Sequence, residues 1–124
     1  MKNKIPFINP LLETNLAINA VIDAGKAVMK IYGQEFETKI KANNEPLTQA
    51  DIESNKIIHK IISMSDHPIL SEETEDDKKR LEQDTVWIVD PLDGTSDFIN
   101  KTDEFTIMIG LVRKQIPILG VIFC

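Results

Sequence analysis

An α+β fold, with helices packed against a sheet in layers, is predicted by two long amphipathic segments in the first half of the chain and by short β-branched runs in the second. The last two of these runs are separated by a polar break and read as a hairpin. The first helix is expected over residues 11–32. There Leu12, Leu16, Ala20, Ile22, Ala27 and Ile31 recur at helical spacing, Asn19 is a polar break and Gly33 is a stop signal. Residues 36–41 alternate weakly and read as a strand, and Asn43, Asn44, Glu45 and Pro46 read as loop. A second helix starts near Thr48, carries Ile52, Ile57, Ile58, Ile61 and Ile62 on one side, and ends around residues 63–66 ahead of Pro68. Ile69-Leu70 is a short strand and residues 77–82 a short helix. Residues 86–89 have the continuous apolar character of a strand buried on both faces. A short helix is suggested over residues 95–100, and residues 105–113 and 117–123 form the hairpin, separated by Lys114, Gln115 and Ile116.

The chain of 124 residues has the length of one modest domain, and nothing in it suggests a second. Hydrophobic residues make up 42% and charged ones 27%, too apolar a mixture for disorder, while every apolar run is too short to cross a bilayer. Lys2 and Lys4 are not followed by the apolar stretch of a secretory signal, since Asn15, Asn19 and Asp23 interrupt it, so a cytoplasmic location is expected. A single cysteine, Cys124, makes no internal disulfide, in keeping with a reducing compartment. The net charge of −6, without a basic stripe, excludes a nucleic-acid binder held by phosphate contacts. Most of the acidic run over residues 72–84 reads as solvated surface. Because apolar residues 118–122 run up to the last residues with no polar cap, further sheet is expected to follow.

The chemistry concentrates in Asp90-Pro91-Leu92-Asp93-Gly94-Thr95, hung directly from the strand at residues 86–89. Pro91 fixes φ and suits a turn that folds Asp90 and Asp93 back toward one another, and Gly94 admits close backbone approach to an anion. Amides from Gly94 onward, opening a short helix, can face a phosphate. The same residues also make an ordinary surface turn, but such turns seldom lie between two apolar patches, here residues 86–89 and Phe98-Ile99. Ile69-Leu70-Ser71-Glu72-Glu73 brings further carboxylates at the end of another strand. Oxygen ligands without nearby His or Cys favour Mg²⁺, with the Leu92 carbonyl able to complete the set. Two such ions activate a water and stabilise a leaving oxygen in phosphoester hydrolysis. Thr95 can position that water, with Asp51 as the group that orients it; Asp51 reads equally as an acid stabilising a helix N-terminus. His59 and His67 lack ligand spacing and are expected to be structural or solvated, and Trp87 to be core.

Pro46-Leu47-Thr48-Gln49-Ala50-Asp51, Leu70-Ser71-Glu72-Glu73 and Asp90-Pro91-Leu92-Asp93-Gly94-Thr95 resemble, in order and approximate spacing, the motifs of the inositol monophosphatase superfamily. Glu104-Phe105-Thr106 and Pro117-Ile118-Leu119-Gly120-Val121 are similar to its bacterial 3'(2'),5'-bisphosphate nucleotidases. The resemblance implies a layered helix and sheet sandwich of the sugar-phosphatase type, of which this chain is the N-terminal part. It also implies a Mg²⁺-dependent phosphatase converting adenosine 3',5'-bisphosphate to AMP and phosphate. By position, Glu72, Asp90, the Leu92 carbonyl and Asp93 would hold metal. Leu92, Asp93, Gly94 and Thr95, with Glu72, would meet the substrate, and Asp51, Thr95 and Glu72 would activate the water. Asn43 stands where these nucleotidases usually have Asp, and Ser96 where Lys is common. The Trp-Asp-x-Ala-Ala-Gly-like segment of relatives, whose aspartate is a metal ligand, has no counterpart in this sequence, so impaired catalysis by the isolated chain is expected. An inositol or sugar phosphate phosphatase, and a non-catalytic subunit pairing with another chain, are the alternatives. The partners implied are a small phosphate ester and either a second copy or a separately encoded C-terminal half. Related proteins add a peripheral position on the inner face of the cell membrane.

Overall fold

The computed structural model describes residues 10–43, 46–76 and 78–124. Helix α1 spans Pro10–Tyr32 and α2 Gln49–Ile62; between them, β1 (Thr38–Ile40) and β2 (Pro46–Thr48) pair antiparallel as a separate two-stranded ribbon. The main sheet has the order β3 (Ile69–Ser71), β4 (Thr85–Asp93), β5 (Thr106–Arg113), β6 (Ile116–Phe123). β3 runs parallel to β4 and the other pairs are antiparallel. A short 3₁₀ turn, Lys79–Glu82, precedes β4, and the single-turn helix α3 (Thr95–Ile99) follows it.

α1 and α2 pack on each other and on one face of this sheet. The core between them holds Leu16, Ala20, Val28, Ile58 and Ile62 from the helices and Trp87, Val89, Ile107, Ile109 and Leu111 from the strands. Alternation along β4 sends Trp87 and Val89 into this core and leaves Ile88 40% exposed on the other face. The strand expected to be buried on both faces is therefore covered on one only. Small residues let α1 approach the sheet: a Cβ on Gly25 would lie 2.6 Å from the Phe123 ring.

Two helical stripes differ from expectation. On α1 the buried line includes Glu13, Ala17, Val21 and Ala24, whereas Leu12 and Ile22 face outward. On α2, Ile52 is exposed while Ala50, Asp51 and Ser54 are buried with Ile58 and Ile62. A helix bearing apolar residues on more than one side does not by itself say which side meets the core. Pro46, expected in a loop, begins β2, and the hairpin break is shorter than expected because Ile116 belongs to β6. Lys114 and Gln115 both have positive φ, as a tight two-residue hairpin turn requires.

Candidate active site

A bulge in β4 creates the site. Asp90 pairs with Met108 and Asp93 with Thr106, so three steps on β4 are set against two on β5. Residues three apart on a regular strand point to opposite faces; the extra residue at Pro91-Leu92 cancels that alternation. The motif thus lies inside the strand as a bulge rather than in a turn beyond its end, and Asp90 and Asp93 still come close enough to repel one another. Ser54 holds the bulge to α2 by donating from Oγ to the Pro91 carbonyl at 2.7 Å, in a fully buried position. Gly94 then takes φ +86°, and a Cβ there would meet the Glu104 carbonyl at 2.8 Å, so this position needs glycine twice over.

Because β3 is parallel to β4, with Ser71 beside Val89, the chain leaving β3 delivers Glu72 to the same end of the sheet as Asp90. Glu72 lies near enough to Asp90 for the two carboxyls to act on one another. Burial, then the negative charges of Glu72 and Asp93, push the Asp90 carboxyl up to about 7 from its ordinary 3.8, against a lowering contribution from the Leu92 N–H. Asp90 Oδ1 is a buried oxygen with no hydrogen-bond partner. A buried, unpartnered oxygen on which the negative charges of Glu72 and Asp93 also act is the electrostatic complement of a cation, and the donors are hard oxygens. Among the described residues, no three acidic, His or Cys groups already close around one point.

Asp51 approaches the cluster from the first turn of α2. Its Oδ2 accepts from both the backbone N–H and the Oγ1 of Thr48, at 2.8 and 2.7 Å, closing a capping box. Its Oδ1 accepts from Thr95 Oγ1 at 2.9 Å. The helix-terminal role expected for Asp51 thus uses one oxygen, while the other is bonded to Thr95. A pocket of about 330 Å³ is lined by Lys41, Pro46, Asp51, Glu72, Leu92, Asp93, Gly94, Thr95 and Ser96.

Three contributors were not foreseen. Lys41 reaches the pocket from beyond β1 and pairs with Glu73 at 2.9 Å, so Glu73 is engaged in an ion pair. Ser54 supports the bulge, and Asn55 accepts from Ser71 Oγ at 2.6 Å while donating to Thr74 Oγ1 at 2.8 Å, so it ties down the chain on both sides of Glu72. A polar residue at position 54, one turn before Ile58 on the buried stripe, was the only signal for any of them.

Both histidines are held by contacts to neighbouring elements. His59 Nδ1 lies 3.0 Å from the Asn55 carbonyl, and His67 Nε2 pairs with the buried Glu13 at 2.5 Å. Trp87 is fully buried and donates to Ser65 Oγ at 2.7 Å.

The model of the inositol monophosphatase family matches residues 12–124. The chain belongs to this family. Among curated proteins it is 35% identical over 114 residues to the 3'(2'),5'-bisphosphate nucleotidase CysQ of Haemophilus influenzae, covering 87% of this chain and 42% of that protein. It is 39% identical over 106 residues to CysQ of Escherichia coli K12, covering 82% and 43% respectively. Of solved structures, CysQ from Bacteroides thetaiotaomicron superposes with TM-score 0.77 at 40% identity, over 93% of this chain and 44% of that one. The suppressor protein SuhB from Bartonella henselae superposes with TM-score 0.78 at 30% identity, over 88% and 43%. The α+β layering agrees with these family members, and the chain spans less than half the length of each. No helix among the described residues is long and apolar enough to cross a membrane.

Proposed function

We propose that this chain carries the metal and phosphate elements of a Mg²⁺-dependent phosphomonoesterase of the 3'(2'),5'-bisphosphate nucleotidase type, which hydrolyses adenosine 3',5'-bisphosphate to AMP and phosphate. The observation that carries the reading is the orphaned Oδ1 of Asp90 beside Glu72 and Asp93, with the Thr95–Asp51 hydrogen bond opening on the neighbouring pocket. Glu72, Asp90, the Leu92 carbonyl and Asp93 are the groups that would hold Mg²⁺. Bound divalent ions would lower the pKa of a water and neutralise charge on the phosphoryl oxygens.

The chain's own residues do the rest. Asp51 is pinned by Thr48, so it keeps the single proton of Thr95 directed at itself. The lone pairs of Thr95 Oγ1 then remain to accept a hydrogen from the attacking water, and Glu72 faces the same space. Leu92, Asp93, Gly94 and Thr95 surround the place where a phosphate would lie, and the missing Cβ of Gly94 leaves its backbone open to close approach. Lys41 adds a cation to this otherwise acidic wall. Nucleotide over inositol phosphate is favoured by the identities of 35–40% to CysQ proteins against 27% to the inositol monophosphatase of Anabaena. A cytoplasmic location belongs to the same proposal, on the sequence grounds given.

Prolonged incubation of the purified chain with adenosine 3',5'-bisphosphate or inositol 1-phosphate tests it. Slow, Mg²⁺-dependent phosphate release, greater from the nucleotide and abolished by Asp90→Asn, is expected. Equal release by the variant, or no response of the chain to Mg²⁺ in either turnover or melting temperature, would refute the reading.

A further inference from the structure

The loop that follows α3 packs directly against the phosphate turn. A Cβ on Gly94 would strike the Glu104 carbonyl at 2.8 Å and lie 3.4 Å from Phe105 Cα, so residues 104 and 105 form the seat of Gly94. Thr102 Oγ1 accepts from the Glu104 N–H at 3.3 Å and donates to Asp97 Oδ1 at 3.0 Å, which ties this seat back to the first turn of α3. Lys101 and Asp103, in the same loop, hold left-handed backbone with φ +61° and +66°, and neither is glycine. Such positions cost free energy and persist only where neighbouring structure over-determines them. Tyr32, the last residue of α1, touches both. Its carbonyl accepts from Lys101 Nζ, which also lies 4.0 Å from the centre of the Tyr32 ring, and its hydroxyl donates to Asp103 Oδ1 at 2.5 Å. The ring is set in turn by Phe98 and Phe105, with centroids 5.0 and 4.9 Å away.

We infer that Tyr32 is a positioning residue for the phosphate turn: by gripping Lys101 and Asp103 it keeps residues 101–104 on their left-handed course, and through Glu104 it holds Gly94 and Thr95 where a phosphate would lie. The inference rests on the phosphatase reading of the pocket and adds to it a residue outside that pocket, on another element. Tyr32 packs against the core that α1 shares with α2 and the sheet, so the turn is referenced to the packed centre of the fold and not only to its own loop. The groups proposed to hold metal have a different support, since Asp90 lies within β4 and Glu72 directly follows β3. Loss of the Tyr32 grip should therefore weaken phosphate binding and leave Mg²⁺ binding in place, a split that general loosening of the fold would not produce.

The test titrates the full chain with Mg²⁺ by calorimetry and then, in saturating Mg²⁺, with inorganic phosphate by phosphorus NMR line broadening, at a temperature where circular dichroism shows every variant folded. Tyr32→Phe keeps the ring and removes only the hydroxyl. It should bind phosphate about fivefold or more weakly while its affinity for Mg²⁺ changes by less than about twofold. Asp103→Gly removes the backbone penalty at φ +66°, so the loop no longer needs the hydroxyl; added to Tyr32→Phe it should return phosphate affinity to within about twofold of the parent. Phosphate binding by Tyr32→Phe as tight as the parent's overturns the inference. A double variant as weak as Tyr32→Phe also overturns it, because the left-handed course would then not be what the hydroxyl supports. Parallel losses of Mg²⁺ and phosphate affinity overturn it in favour of a general structural role. A parent that binds Mg²⁺ but no phosphate would instead refute the reading of the pocket, and the inference with it.

Discussion

Replacing Asp90 by Asn should stabilise this protein in the absence of metal and destroy its response to metal. The carboxyl ionises near pH 7 in the folded chain, against an ordinary 3.8. Between those values the folded state binds more protons than the unfolded one, so stability falls as pH rises from about 4 and the loss is complete above about 7. At about 1.4 kcal/mol per pH unit this interval has a ceiling of about 4 kcal/mol. The group is only part-buried, and screening by solvent reduces the expected figure to about 1–2 kcal/mol. Asn keeps an oxygen for the Leu92 N–H and offers an N–H to Glu72 where the acid has two competing charges. In EDTA at pH 8, Asp90→Asn should therefore melt about 3–8 °C higher than the parent, with the difference vanishing toward pH 4. In saturating Mg²⁺ the order should reverse, since only the parent gains binding free energy. Scanning fluorimetry or circular dichroism across pH, with and without Mg²⁺, measures both. A variant that is less stable than the parent at pH 8 in EDTA would show that Asp90 is not held in an uncompensated negative cluster. A variant stabilised by Mg²⁺ as much as the parent would show that the ion binds elsewhere.

Ser54→Ala leaves the buried Pro91 carbonyl without its donor and should cost about 1–3 kcal/mol by denaturant titration, with weaker Mg²⁺ binding because the bulge loses its anchor. Gly94→Ala puts a Cβ against the Glu104 carbonyl at a left-handed φ; a loss of at least about 1–2 kcal/mol, together with loss of phosphate binding by calorimetry, is expected. Thr95→Val keeps shape and removes the hydroxyl that Asp51 orients. Melting should move little while any turnover falls about 100-fold or more, and unchanged turnover would remove Thr95 from the water-positioning role.

Local signals in the sequence were enough to identify both long helices, the start of the second near Thr48, the hairpin and the acid–glycine motif itself, because each rests on neighbours along the chain. Periodicity, caps and turn residues act over a few positions, and the DPLDGT run carries its backbone demands in its own residue types. Tertiary structure decided what those signals leave open. Which isoleucines of α2 meet the core, and that Ile52 does not, follows from where α1 and the sheet lie. The pairing of Lys41 with Glu73 joins residues 32 positions apart, so no local pattern distinguishes Glu73 from Glu72. Ser54 is an unremarkable polar residue until the Pro91 carbonyl stands over it. The bulge that brings Asp90 and Asp93 near one another exists only as a mismatch between β4 and β5. Register is a relation between strands, created when distant segments pair, and the carboxylate cluster is assembled by that relation from residues that are individually legible but mutually silent in sequence.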